Sequence, residues 1–123
     1  MTKQTRAYLY LRTATGSAEE QRQVAWPLIA RLGYDIVYFA SDEGVSGMAP
    51  LRERHGLSSL LAELKDEPRP AAVIVTDANR LARNPVLLVQ IVREIQLAGA
   101  GVHFLAEGVY IHRISNLPPT FNG

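Results

Sequence analysis

One short run of apolar residues constrains the fold of this chain more than any other stretch. Residues 71–75 are Ala-Ala-Val-Ile-Val, with Pro70 before them and Asp77 two positions after them. A continuous apolar run of this length is typical of a central strand in a parallel sheet, where both faces are buried. Because parallel strands are joined by crossover connections, we expect helices on both sides of this run in the sequence.

Strand-like and helix-like patterns alternate along the rest of the chain. Segments rich in apolar and aromatic residues cover 6–13, 36–39 and 101–106, and helical spacing of apolar residues covers 17–32, 55–67 and 85–98. The resulting order is β-α-β-α-β-α-β. It predicts a doubly wound α/β domain with a mostly parallel four-stranded sheet flanked by helices.

The first predicted helix contains a proline, Pro27. Ser17 and Glu20 have the spacing of a capping box at its start. Its expected buried positions are Val24, Leu28, Ile29 and Leu32. A proline inside a helix removes one hydrogen bond, so we expect a kink near Ala25 or two short helices.

Length and composition limit the class of protein. The 123 residues suit one domain, which we expect over residues 1–109, with an irregular or disordered tail over residues 110–123. The absence of cysteine excludes disulfides, thiolate catalysis and cysteine-ligated zinc. No signal peptide and no apolar run of about 20 residues is present, which predicts a cytoplasmic protein with no membrane partner.

Arginines follow two of the predicted strands. Arg12 closes the first strand, and Arg80 and Arg83 follow the third. In open α/β sheets ligands bind outside the carboxyl ends of the strands, and a guanidinium group matches phosphate oxygens. The pattern therefore predicts a phosphate pocket. The alternative is that Arg80 and Arg83 are solvated loop residues paired with Asp77 or Glu107. The net charge of +1 excludes a uniformly basic surface but allows such a local patch.

Seven short motifs lie in one order along residues 6–109. They are Tyr10-x-Arg12-Thr13-x-Thr15, Gln21-Arg22, Gly33-Tyr34, Asp42-x-Gly44-x-Ser46-Gly47, Arg54-x-Gly56-Leu57, Asn79-Arg80-Leu81-x-Arg83-Asn84 and Ala98-Gly99-x-Gly101-Val102. Each motif alone is weak. Together they make the chain resemble the catalytic domain of serine recombinases, the family of resolvases, invertases and large serine integrases.

The resemblance implies chemistry on DNA. In this family a serine hydroxyl attacks a DNA phosphodiester, which leaves a 5′-phosphoserine link and a free 3′-OH, and strands are exchanged by subunit rotation in a tetramer. No metal or other cofactor is used, because a cluster of arginines stabilises the charge that develops on the phosphate. Carried over by position, the site residues are the phosphate ligands Arg12, Arg54, Arg80 and Arg83, with Gln21 ordering the site and Ser46 in the adjacent loop.

Two positions depart from the family pattern. The nucleophile lies two residues after the first-strand arginine, and this position is Ala14, which has no hydroxyl. The acid before the second arginine motif is Asn79, which cannot accept a proton or carry charge. The chain is therefore expected to be catalytically inactive, either by natural decay or by an engineered change. Thr15 and Ser17 carry hydroxyls nearby, but a shift of even one residue moves a nucleophile by about 3.5 Å.

The resemblance also implies partners, namely DNA and further copies of the chain in a homodimer or higher homo-oligomer. The family continues past the last strand into a long helix and a DNA-binding domain, so we expect weak DNA affinity for this chain, whether it is a fragment or a stand-alone domain. The alternative function is a non-enzymatic regulatory or interaction module that keeps the fold. A generic small-ligand or nucleotide-binding α/β domain is a third.

Several residues also have a plainer interpretation. Arg54 lies in a charged stretch that could be a solvated helix start, and the three histidines lack metal-ligand spacing. Asp42-Glu43 could indicate an acidic metal pocket, but no second acid ends the first strand. Trp26 and the tyrosines suit a core better than a base-stacking surface.

Overall fold

The computed structural model describes residues 4–67 and 69–114. Within these residues the chain forms five strands, four α-helices and one short 3₁₀ helix. They are β1 (Thr5–Thr13), α1 (Glu19–Arg31), β2 (Tyr34–Glu43), a 3₁₀ helix (Leu51–Glu53), α2 (His55–Asp66), β3 (Ala71–Val75), α3 (Ala78–Leu81), α4 (Pro85–Leu97), β4 (Ala100–Phe104) and β5 (Val109–Ile111).

The strands form one sheet in the order β2-β1-β3-β4-β5. β2, β1, β3 and β4 pair in parallel, and β5 pairs antiparallel with β4. The mostly parallel α/β sheet is confirmed, but it has five strands where the sequence predicted four. The additional strand has three residues, too few for a recognisable alternation, and it includes Tyr110 and Ile111, which the sequence assigned to the tail. Residues 115–123 of that tail lie outside the described residues.

The strand order places a switch point between β1 and β3. From β1 the chain moves outward to β2, then crosses back to β3 on the other side of β1. The loops that follow β1 and β3 therefore diverge to opposite faces of the sheet and leave a crevice at its carboxyl edge. Ligands of doubly wound sheets bind at this point.

Helices cover both faces of the sheet. α2 and α4 pack on one face, where Leu57, Leu60, Leu61, Leu64, Ile91, Val92 and Ile95 are buried against Tyr8, Tyr10 and the central strands. The predicted apolar faces of these two helices are confirmed, with Leu88 only partly buried. α1 covers the other face through Ala25 and Ile29, beside Leu9, Leu11 and Ile74.

The structure differs from the expectations for α1 in three respects. One helix runs through Pro27, so the expectation of two short helices is wrong. Pro27 and Gln23, whose carbonyl loses its helical partner, are both exposed, so water can take the place of the missing bond. Val24, Leu28 and Leu32 are 70%, 47% and 56% exposed, because the helix contacts the sheet through Ala25 and Ile29. The capping box does not form, since Ala18 occupies the N-cap position.

Candidate functional site

Three loops meet at the carboxyl edge of the sheet. They follow β1, β2 and β3, and the middle one, residues 44–50, is called the 44–50 loop below. Its Val45 N–H donates to Thr13 O at 3.1 Å, and its Gly47 carbonyl accepts from Arg83 N–H at 3.0 Å. Two clefts open beside it. One of about 550 Å³ is lined by Arg12, Ala14, Gly44, Ser46, Gly47, Met48 and Arg83. The other, of about 470 Å³, is lined by Arg12, Asp77, Asn79, Arg80, Arg83 and Glu107.

Arg12 lies between the two clefts and is 7% exposed. Its guanidinium donates Nε–H to Arg80 O at 2.6 Å, Nη1–H to Val45 O at 2.8 Å and Nη2–H to Asn79 O at 3.3 Å. Burial lowers the pKa of Arg12, and the neighbouring cations Arg54, Arg80 and Arg83 lower it further. An anion in either cleft would relieve this concentration of positive charge.

Arg54 lies below the clefts and is completely buried, at 0% exposed. Its Nε–H donates to Ala49 O at 3.0 Å, its Nη2–H to Gly47 O at 3.2 Å, and its Nη1–H to Leu81 O. The interpretation of Arg54 as part of a solvated helix start is therefore wrong. It lines neither cleft.

Arg80 and Arg83 are exposed and line the clefts. Arg80 Nε lies 3.2 Å from Asp77 Oδ2, and its side chain is 46% exposed, so the predicted pairing with Asp77 forms at the surface. Glu107, the other predicted partner of these arginines, instead accepts from Ala78 N–H through Oε2 at 2.9 Å.

Gly47 lets the Arg83 side chain lie directly on the 44–50 loop. A Cβ on Gly47 would be 2.3 Å from Arg83 Cγ and 3.2 Å from Arg12 Nη2. Any larger residue would therefore push Arg83 away from this position. The close approach of the Arg83 side chain to the loop backbone requires glycine at position 47, because glycine has no side chain. The sequence motif alone did not reveal this requirement.

The remaining predicted site residues lie around these arginines. Ala14 and Ser46 are exposed and line the same cleft, and Ser46 Oγ accepts from Met48 N–H at 3.0 Å. Asn79 is exposed in the second cleft. Gln21 lies apart, on α1, in a groove shared with Arg80. Its Oε1 is buried and has no hydrogen-bond partner among residues 4–67 and 69–114.

The sequence analysis assigned no role to a buried pair beneath the site, Tyr10 and Asp42, although both residues belong to the motifs given above. Asp42 is 6% exposed and accepts from Tyr10 O–H at 2.7 Å, from Gly56 N–H at 2.7 Å and from Leu57 N–H at 3.1 Å. It thus caps the start of α2 from the end of β2. Burial and the Asp42 carboxylate raise the pKa of Tyr10 well above its ordinary range. Glu43, which follows Asp42 in the sequence, is engaged separately and accepts from Ala18 N–H at 2.5 Å.

Metal clusters and membrane-spanning helices can also be assessed in the described part of the chain. Within it no cluster of three or more His, Asp or Glu side chains has the arrangement of a metal site. His103 Nδ1 and Tyr34 Oη form a hydrogen bond of 2.8 Å. None of the helices there is long and apolar enough to cross a membrane.

Solved structures with this fold include the catalytic domain of an integrase and two recombinases. The N-terminal catalytic domain of TP901-1 integrase superimposes with a TM-score of 0.75 at 20% identity, over 86% of this chain and 81% of that one. A resolvase family site-specific recombinase from Streptococcus pneumoniae gives 0.71 at 23% identity, over 87% and 76%. The C-terminal catalytic domain of ISC1926 TnpA, an IS607-like serine recombinase, gives 0.66 at 21%, over 81% and 70%.

These likenesses establish the fold, and the sequence establishes the family. The family model of the resolvase N-terminal domain matches residues 7–116. This match covers most of the chain, so the protein belongs to the resolvase N-terminal domain family. No curated protein sequence matches it.

Proposed function

We propose that this chain binds DNA phosphate as the catalytic-type domain of a site-specific serine recombinase, and that it does not cleave DNA. The observation that carries the proposal is the pair of clefts on either side of Arg12, with Arg80 and Arg83 exposed at their rims. Exposed guanidinium groups can bind phosphate oxygens in pairs. A buried cation beneath them adds positive potential at the same place.

The proposed lack of cleavage rests on the residues in these clefts. Ala14 occupies the nucleophile position implied by the family and has no oxygen to form an O–P bond. Asn79 occupies the position of the family acid and cannot take up a proton. Two carboxylates line the second cleft, and both are engaged: Asp77 is paired with Arg80 at 3.2 Å, and Glu107 accepts from Ala78 N–H at 2.9 Å. Cleavage would require both a nucleophile and a proton acceptor at this edge of the sheet.

Restoring the nucleophile tests the catalytic part of the proposal. The chain carrying Ala14→Ser and Asn79→Asp is incubated with a pool of duplexes of random sequence and examined for protein–DNA adducts that survive denaturation. We expect adducts for this double variant and none for the unaltered chain. The matched control Thr15→Ser, which leaves Ala14 in place, should also form none. An adduct with the unaltered chain would contradict the proposal and point to Ser46, Ser17 or Thr15 as nucleophile.

Salt-dependent binding tests the phosphate site. In the chain carrying Arg80→Ala and Arg83→Ala, we expect weaker binding to a mixed-sequence duplex, with the slope of log affinity against log salt reduced by about two. The control variant Arg31→Ala removes one positive charge at the exposed end of α1 and should leave the slope unchanged. Equal binding by all these variants would contradict a phosphate site at the clefts.

A second candidate function is a non-enzymatic interaction module that acts as a homodimer or higher oligomer. The observation that favours it is the exposed apolar row Val24, Leu28 and Leu32 on α1, which residues 4–67 and 69–114 leave largely uncovered. Sedimentation of the chain tests whether this row mediates self-association. Oligomers that are lost in Leu28→Gln, together with unaltered DNA binding, would assign this row to self-association alone.

A further inference from the structure

α3 is a helix of only four residues. It contains Arg80, and Arg83 follows two residues after its end. So short a helix is not stable by itself. The carbonyls of Asp77 and Ala78 accept from Leu81 and Ala82 N–H at 3.2 and 2.9 Å, which leaves the next three carbonyls of the segment without helical partners. The conformation of this segment therefore depends on donors from elsewhere.

Those donors are the two buried arginines. Arg12 donates to the carbonyls of Asn79 and Arg80, and Arg54 donates to the carbonyl of Leu81. Every carbonyl that α3 leaves open at its carboxyl end thus accepts from a guanidinium group. Cations are also the favoured partners for the carboxyl end of a helix.

The same two guanidinium groups hold the 44–50 loop. Arg12 donates to Val45 O, and Arg54 donates to Gly47 O and Ala49 O. The accepting residues alternate along the loop. Each buried arginine therefore joins the loop to α3, and six hydrogen bonds connect the two segments through two side chains.

We infer that Arg54 is a positioning residue, which joins the 44–50 loop to the end of α3 and thereby places Arg83 at the clefts without touching the phosphate itself. This inference rests on the function proposed above. Three observations support it. Arg54 is completely buried, it lines neither cleft, and its donors at all three nitrogens are engaged by carbonyls. The Gly47 carbonyl accepts from both Arg54 and Arg83 N–H, so the link to Arg83 is direct.

Arg12 differs from Arg54 in one respect. It makes the same kind of bridge and is also buried, but it lines both clefts. Its remaining Nη–H groups can face a bound anion while its other donors hold the two segments. The four arginines therefore divide into Arg54, which positions, Arg80 and Arg83, which bind, and Arg12, which does both.

The first test uses the unaltered chain and the Nε–H resonances of its arginines. Inorganic phosphate is added, and the proton shifts and solvent exchange of each Nε–H are followed by NMR. We expect the Arg83 resonance to shift with phosphate and the Arg54 resonance to stay in place and exchange slowly. An Arg54 resonance that shifts at the same phosphate concentration as Arg83 would overturn the inference alone. If no arginine resonance responds, the proposed phosphate site falls, and this inference falls with it.

The second test separates positioning from general loss of structure. Duplex affinity is measured for Arg54→Lys, Arg83→Ala and the double variant, since lysine keeps the charge but lacks the planar fork that bridges two segments. We expect losses of about tenfold for each single change and no further loss, within about twofold, when Arg54→Lys is added to Arg83→Ala. Additive losses in the double variant would overturn the inference, because a merely structural defect lowers affinity whether or not Arg83 is present.

Discussion

Two pairs of arginines lie within one site and have opposite surroundings. Arg12 and Arg54 are buried and donate to six backbone carbonyls, whereas Arg80 and Arg83 are exposed at the rims of the clefts. A buried cation without hydrogen bonds is very costly, so the inner pair must be fully engaged by the protein. The outer pair meets no such demand. Residues of one type in one site therefore divide between support and binding according to burial.

The largest effect expected from this difference is on Arg54. In Arg54→Met three backbone carbonyls lose their donor in a buried site, so we expect the free energy of unfolding to fall by about 3 kcal/mol or more. Urea unfolding of Arg52→Met, an exposed arginine of the 3₁₀ helix, provides the control and should change little. A loss of less than about 1 kcal/mol in Arg54→Met would remove the distinction between the inner and outer pairs.

A smaller loss of stability is expected when Asp42, the buried carboxylate beneath the inner pair, is replaced. Asp42→Asn replaces an acceptor of three hydrogen bonds with an amide whose NH₂ opposes the N–H groups of α2, so we expect a loss of about 2 kcal/mol. Asp35→Asn, at an exposed position of β2, is the matched control. Equal unfolding midpoints for the two variants would contradict the capping role of Asp42.

Replacing Tyr10, the partner of Asp42, should lower the free energy of unfolding by an amount that depends on pH. Tyr10→Phe removes one hydrogen bond, about 1 kcal/mol at neutral pH. Burial and Asp42 raise the pKa of Tyr10 in the folded protein, so its contribution is present below the ordinary tyrosine pKa and is lost as pH rises above it. The fall in stability between about pH 9 and about pH 11 should therefore be shallower in Tyr10→Phe. Urea unfolding across this range measures it, and identical slopes would contradict the prediction.

The smallest effect on stability is expected for the outer pair. Arg80→Ala with Arg83→Ala should change the free energy of unfolding by no more than about 0.5 kcal/mol, since the exposed pair of Arg80 with Asp77 contributes little. The same variant should lose duplex affinity. If thermal unfolding instead shifts as far as it does in Arg54→Met, the outer arginines also serve as support.

Much of the fold could be predicted from local patterns. Residues 71–75 form β3 as expected, and the apolar spacing of α2 and α4 matches their buried faces. Asn84 and Pro85 begin α4, where Asn84 Oδ1 accepts from Val86 N–H at 2.8 Å. β5 was not predictable, because three residues carry too short an alternation. The α1 face was partly misassigned, because three of its four predicted residues, Val24, Leu28 and Leu32, are exposed, whereas Ile29 is buried against the sheet as expected.

By itself, the sequence determined the alternation of strands and helices, the family, and the presence of arginines and Ala14 at the carboxyl edge of the sheet. Those features depend on short-range patterns and on motif order. Only the tertiary structure decided which arginine is buried and which is exposed, since that depends on how the 44–50 loop and α3 come together from distant parts of the chain. Arg54 and Arg83 differ because one guanidinium lies among backbone carbonyls, and the other lies on Gly47 at the rim of a cleft.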